Sequence, residues 1–107
     1  MRILVVCGAG ASSTFVAQRL RHAAQERGIV CSATAGTVQS LPIDLDAADL
    51  VLVGPHLAHL MDDIHRLAEA REVGVAILPD DVFGDLHGER TLDLALAHLT
   101  IPTEGTP

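Results

Sequence analysis

RILVVCGAGASST, Arg2 to Thr14, is the stretch that decides the reading of this 107-residue chain. Ile3, Leu4, Val5 and Val6 form an unbroken apolar run, the pattern of a parallel strand covered on both faces. Cys7 follows where such a strand emerges. Gly8, Ala9, Gly10 and Ala11 carry little or no side chain, so a ligand can approach their backbone closely. Ser12, Ser13 and Thr14 suit the cap of a helix, whose unpaired N–H groups and dipole favour an anion. The stretch therefore places a thiol beside an anion cradle.

Outward from that strand, the chain alternates. A first helix is expected from Ser13 to Arg27, burying Val16, Leu20, Ala23 and Ala24 and stopping at Gly28. Ile29 to Thr34 reads as a second strand, at an edge because its residues are small. Gly36 to Asp49 holds Pro42 and predicts only a short, irregular crossover helix. Leu50 to Val53 repeats the apolar run and ends at Gly54-Pro55. Leu57, Leu60, Met61, Ile64, Leu67 and Ala68 then recur at helical spacing, with His59, Asp62, Asp63, Arg66 and Glu69 opposite. Gly74 turns the chain into a fourth strand, Val75 to Leu78. A loop from Pro79 to Gly88 leads to a helix over Glu89–Leu99, and residues 100–107 read as a mobile tail.

This order predicts a single α/β domain with a four-stranded parallel sheet, strand order 2-1-3-4, and helices on both faces. Ligands of such sheets bind beyond the strand C-termini where the winding reverses. That point lies between Cys7 and Gly54, so topology and loop converge on one site.

Composition narrows the function. The formal net charge is −7, with seven Arg and no Lys. That balance disfavours a broad basic surface for nucleic acid or anionic membrane, and removes the lysine of a P-loop. With two Phe and no Tyr or Trp, base stacking is nearly unavailable. Cys7 and Cys31 are too few for a disulfide framework; no export signal or membrane span is visible, and a reducing, cytoplasmic setting is expected.

Cys7 by position alone fits a small core residue as well as a reactive one. The adjoining loop favours the second, because a thiolate facing a helix N-terminus is stabilised, with pKa values of roughly 3.5–7.5 in such settings. A lowered pKa at Cys7 relative to Cys31, a structural cysteine, is the expectation. The dinucleotide fingerprint fails: only Gly8 and Gly10 match, and Thr34, Ala35 and Gly36 stand where its acidic residue belongs. The six histidines give no metal set; on the clearest helix neither His56 with His59 nor His56 with His65 has i, i+4 spacing. No cofactor or metal is expected.

A cysteine phosphatase is a closer competitor. The low-molecular-weight tyrosine phosphatases, and arsenate reductases similar to them, use Cys-x5-Arg-Ser/Thr on this kind of fold. Here the sixth residue after Cys7 is Ser13, which lacks the bidentate phosphate contacts and charge stabilisation of Arg. The only candidate general acids are Asp80 and Asp81, which also fit a solvated loop.

The chain most resembles the cytoplasmic IIB subunits of the lactose/cellobiose (chitobiose) class of the bacterial phosphoenolpyruvate-dependent sugar phosphotransferase system. Their Cys-x-x-Gly-x-Ser-Ser/Thr-Ser/Thr loop is matched by Cys7, Gly10, Ser12, Ser13 and Thr14. Their Ala-Asp, apolar run, Gly-Pro and amphipathic helix are matched by ADLVLVGPHLAHLMDDIHRL, Ala48 to Leu67, and their ending by AILPDDVFGDLHG. Residues 1 to 99 are covered. The Gly-Pro segment favours this class over IIB subunits for ascorbate, galactitol or mannitol, some of which share a related loop. Two departures are His56, where the class commonly has Gln, and Pro42 in the crossover.

The resemblance implies that Cys7 takes a phosphoryl group from a phosphohistidine on a IIA partner. It then passes the group to a sugar, such as a disaccharide, held by a membrane IIC subunit. Gly8, Ala9, Gly10, Ala11, Ser12, Ser13 and Thr14 would bind phosphate, and Gly54, Pro55, His56, Val82 and Phe83 would form a rim for partners. Nucleic acid and direct membrane insertion are not expected; contact with the membrane would run through IIC. The alternatives are a IIB subunit of the ascorbate/galactitol class, a low-molecular-weight phosphatase-like hydrolase and a non-catalytic anion-binding module.

Overall fold

A computed structural model describes the backbone of residues 1–7 and 10–104, and the side chains of these except 10–12, 83 and 99–104. Strand β1 (Arg2–Val6) leads into helix α1 (Gly10–Glu26), strand β2 (Ser32–Gly36) and a one-turn helix α2 (Leu41–Asp44) continued by a 3-10 turn, Leu45–Ala47. Strand β3 (Leu50–Val53) is followed by 3-10 turns over Pro55–Leu60 and helix α3 (Met61–Glu69). Strand β4 (Gly74–Ile77), a 3-10 turn at Val82–Gly84 and helix α4 (Glu89–Glu104) complete the chain. The sheet is wholly parallel with order β2-β1-β3-β4, as the alternation predicts.

The two apolar runs fill its centre. Ile3, Val5, Leu50, Leu52, Ala76 and Leu78 pack with Val16, Leu20, Ala24, Leu92 and Ala95 of α1 and α4. Leu4, Val6, Val51 and Val53 pack on the other face with Leu41, Leu45, Leu57, Ile64 and Ala68. Alternate side chains of one strand thus enter different cores, so neither β1 nor β3 has a polar side to show. Each fully buried Leu or Val contributes about 1.5–3 kcal/mol. At the N-terminal edge of the sheet Arg2 bonds Asp49 through its backbone N–H (2.8 Å) and its guanidinium (3.1 Å).

Several boundaries differ from expectation. β2 begins at Ser32 rather than Ile29, with Ser32 opposite Arg2; Val30 is 90% exposed and lies in the connection. Apolar character suggests strand there, but pairing with β1 sets the register. The turn before β4 uses Glu72, at φ +57°, in the left-handed position, and Gly74 opens the strand instead. The crossover is short and irregular as expected, Pro42 standing in the first turn of α2 where its missing N–H costs nothing. Pro55–Leu60 is 3-10, with Leu57 off helical geometry, so regular α-helix starts only at Met61. α4 carries on through Thr100–Glu104, which the sequence reading assigns to the tail. A nucleated helix adds a bond with each residue, so weak formers at its end can be carried along. Residues 105–107 lie outside the described part.

Candidate functional site

β1, β3 and β4 run the same way, so the segments that follow them share one edge of the sheet. Val6 is in register with Val53, and the ladder continues one step further, where Gly54 N–H donates to Val6 O at 2.7 Å. Cys7 and Gly54 therefore stand side by side past the ends of the two central strands. They lie so close that a Cβ on Gly54 would be 3.1 Å from Cys7 Sγ. This is the switch point that topology predicts, and α1 starts three residues after the cysteine.

The cysteine is 5% exposed and belongs to the core between the sheet and α1/α4. Burial pushes its thiol pKa up, because removing water penalises the thiolate. The expected lowering of this pKa is not found. Burial also raises the thiol of half-buried Cys31, against the pull of the chain's N-terminal ammonium group.

The helix starts earlier than the Ser/Thr cluster suggests. Gly10, Ala11 and Ser12 are its first backbone positions, so Ser13 and Thr14 lie inside α1 rather than before it. Ser13 is completely buried and Thr14 exposed. Serine and threonine favour caps, but here the helix forms ahead of them. Gly8 and Ala9 of the expected phosphate loop lie outside the described residues.

Of the expected rim, Gly54 is buried, Pro55 half-buried and His56 exposed. Val82 is 2% exposed and packs in the same core as Cys7, so it is a core residue and not part of an exposed rim. The side chain of Phe83 lies outside the described ones. The segment around Val82 is tied down from both sides. Asp81 accepts two hydrogen bonds from Arg90, at 3.0 and 3.1 Å, and Asp85 accepts from the N–H and hydroxyl of Thr91, both at 2.9 Å. Arg90 holds the Asp81 carboxyl below its ordinary pKa, the reverse of what a general acid needs.

Two features escaped the sequence reading. Phe15 is 55% exposed in the second turn of α1. The available signal was phase: Val16, Leu20, Ala23 and Ala24 define the inner face, and an aromatic ring one residue before Val16 falls outside it. The second lies at the C-terminal end of β2, on the same sheet edge, where Gly36 pairs with Val6. There Ser40 Oγ donates to Asp44 Oδ2 at 2.6 Å, and Thr37 N–H donates to Ser40 Oγ at 3.1 Å. No spacing motif marked this hydroxyl–carboxylate network.

The family model described as "PTS system, Lactose/Cellobiose specific IIB subunit" matches residues 2–93. The chain belongs to this IIB family. A curated member, the PTS system oligo-beta-mannoside-specific EIIB component of Bacillus subtilis (strain 168), is 24% identical over 96 residues, covering 90% of this chain and 93% of that one. The solution structure of a cellobiose-specific phosphotransferase IIB component from Borrelia burgdorferi is 27% identical, with a TM-score of 0.74 over 94% of this chain and 92% of its own. The lactose-specific IIB domain of the Streptococcus pneumoniae PTS has 16% identity but a TM-score of 0.83, over 92% and 96% of the two chains. These IIB domains carry the low-molecular-weight phosphatase-like fold, and this chain shares it.

Proposed function

We propose that this IIB protein is a phosphoryl carrier with Cys7 as the acceptor. The observation that carries the reading is the place of Cys7: at the end of a central strand, against Gly54, three residues ahead of a long helix. Sulfur attacks the phosphorus of a phosphohistidine on a IIA partner, an S–P bond forms and the N–P bond breaks. The leaving imidazole nitrogen keeps the electron pair and can take the thiol proton. That destination matters, because burial keeps the resting thiol protonated.

Phosphoryl transfer rests on positioning and charge stabilisation, which backbone N–H groups can supply without a cation. α1 begins at Gly10, and the backbone N–H groups at a helix start point toward an anion placed there; these are the donors proposed here, together with the Gly8–Ala9 backbone. The group then passes to a sugar hydroxyl presented by a membrane IIC subunit. The names of the relatives point to a disaccharide or short β-linked oligosaccharide. Among the described residues no helix is long and apolar enough to cross a membrane. Attachment through IIC at the cytoplasmic face is the arrangement we propose.

Hydrolysis is disfavoured on two counts. Ser13 replaces the phosphatase Arg, and Asp81 is held as a carboxylate by Arg90. The test is intact mass after incubation with phosphoenolpyruvate, the general phosphotransferase proteins and the IIA partner. One added phosphoryl group is expected, retained in Cys31→Ser and absent from Cys7→Ser. Full labelling of Cys7→Ser would overturn the assignment.

A further inference from the structure

Gly54 has an ordinary backbone: φ −61° and ψ 148°, a conformation open to any residue and the one favoured before a proline. Conformational freedom therefore does not explain a glycine here. Space does. A Cβ at this position would have three nearest neighbours, all atoms of Cys7: Sγ at 3.1 Å, Cα at 3.2 Å and Cβ at 3.3 Å. The thiol could turn away by rotation about χ1, but Cα and Cβ could not. A side chain at position 54 would therefore press on the cysteine's backbone as well as on its thiol. The same glycine holds the cysteine's backbone from behind, through its N–H to Val6 O at 2.7 Å.

We infer that Gly54 is a positioning residue for Cys7: its bare α-carbon and its N–H set where the sulfur stands relative to the start of α1. This inference rests on Cys7 being the phosphoryl acceptor. In-line transfer is sensitive to displacement, a misplacement of about 1 Å costing on the order of a hundredfold. Alanine at 54 asks for a few tenths of an ångström and is expected to slow transfer by about tenfold. Docking of the donor protein would be left intact.

The experiment uses a Cys31→Ser background, so that Cys7 is the one thiol. Transfer from phosphorylated IIA is followed with and without Gly54→Ala, alongside urea unfolding and the pH profile of iodoacetamide alkylation. The expected result is a folded variant with kcat lowered about tenfold, KM within twofold and an altered alkylation profile. Restoring space at the partner residue supplies the second arm: the loss of urea midpoint caused by Gly54→Ala should shrink when Cys7 is replaced by Gly. If Gly54→Ala does not fold, that double variant carries the test, and a double variant that stays unfolded where Cys7→Gly alone folds would overturn the side-chain contact. Wild-type transfer and alkylation in a folded Gly54→Ala would overturn the inference while leaving the carrier function standing. Absence of any phosphate on Cys7 in the parent protein would instead remove the function itself.

Discussion

Gly88 lies flat against Arg19: a Cβ on Gly88 would come within 2.2 Å of the Arg19 carbonyl oxygen and 2.5 Å of its carbonyl carbon. Two backbones meet here with no side chain between them, and the meeting fixes where α4 begins relative to α1. Gly88 also has φ +73°, and its carbonyl accepts the Leu92 N–H at 2.9 Å, in the first turn of α4. The loop that ends on this contact is the one that carries Val82 into the core that Cys7 also joins.

Gly88→Ala should therefore be among the most damaging single-methyl changes in the molecule. The methyl meets backbone, which cannot rotate aside, and the left-handed conformation adds its own penalty. A loss of about 3 kcal/mol is expected from overpacking and strain together. Urea denaturation checks it, and a midpoint unchanged from wild type would mean that α4 does not seat on α1 as described.

The raised pKa of Cys7 has a definite sign in solution. The folded protein holds the thiol proton more tightly than the unfolded chain, so this group's contribution is fully present below the ordinary thiol pKa. It is lost as pH rises through the higher folded value. Folding stability measured from neutral to alkaline pH should fall, and less steeply in Cys7→Ala. Alkylation of Cys7 in the Cys31→Ser protein should have its midpoint above that of a small-molecule thiol. A midpoint near neutrality would show that donors at the start of α1 outweigh burial.

Much of the fold was legible because the signals are long and redundant. ILVV and LVLV admit no polar face, and the Leu57–Ala68 pattern keeps its phase although its first turns are 3-10. Less legible were features settled by contact between distant segments. The start of β2 is chosen by pairing with β1, and the burial of Val82 by the core it closes. Cys7 was legible as a position but not as an environment. Its loop suggests a stabilised thiolate, while the core it is buried in is completed by α1 and by elements far along the chain.

Asp81 offers a test of carrier against hydrolase. Bound to Arg90 and held below its ordinary pKa, it has no proton to donate near neutrality. Asp81→Asn should leave the lifetime of the phosphorylated protein unchanged within about twofold, where loss of a working general acid costs 10²–10⁴-fold. Decay of the label by mass spectrometry measures it. Ser13→Arg is not a usable counterpart, since position 13 is fully buried and a guanidinium there would disturb the start of α1.

Phe15 and Val82 exchange the roles that their sequence positions suggest. Val82, in a loop among aspartates and glycines, is buried; Phe15, in a helix that buries its neighbour Val16, is open to water. An exposed ring in the second turn of α1 is a natural anchor for the IIA donor that the proposed function requires, since aromatic residues carry much of the energy of interfaces. Phe15→Ala should therefore raise the KM for the phosphorylated IIA donor severalfold, with kcat and urea midpoint near wild type. Val82→Ala should do the opposite, leaving KM alone and lowering stability by about 2 kcal/mol through the cavity it opens in the core. A Phe15→Ala protein with unaltered KM would place the donor elsewhere on this sheet edge, with the exposed His56 beside Pro55 as the next position to replace.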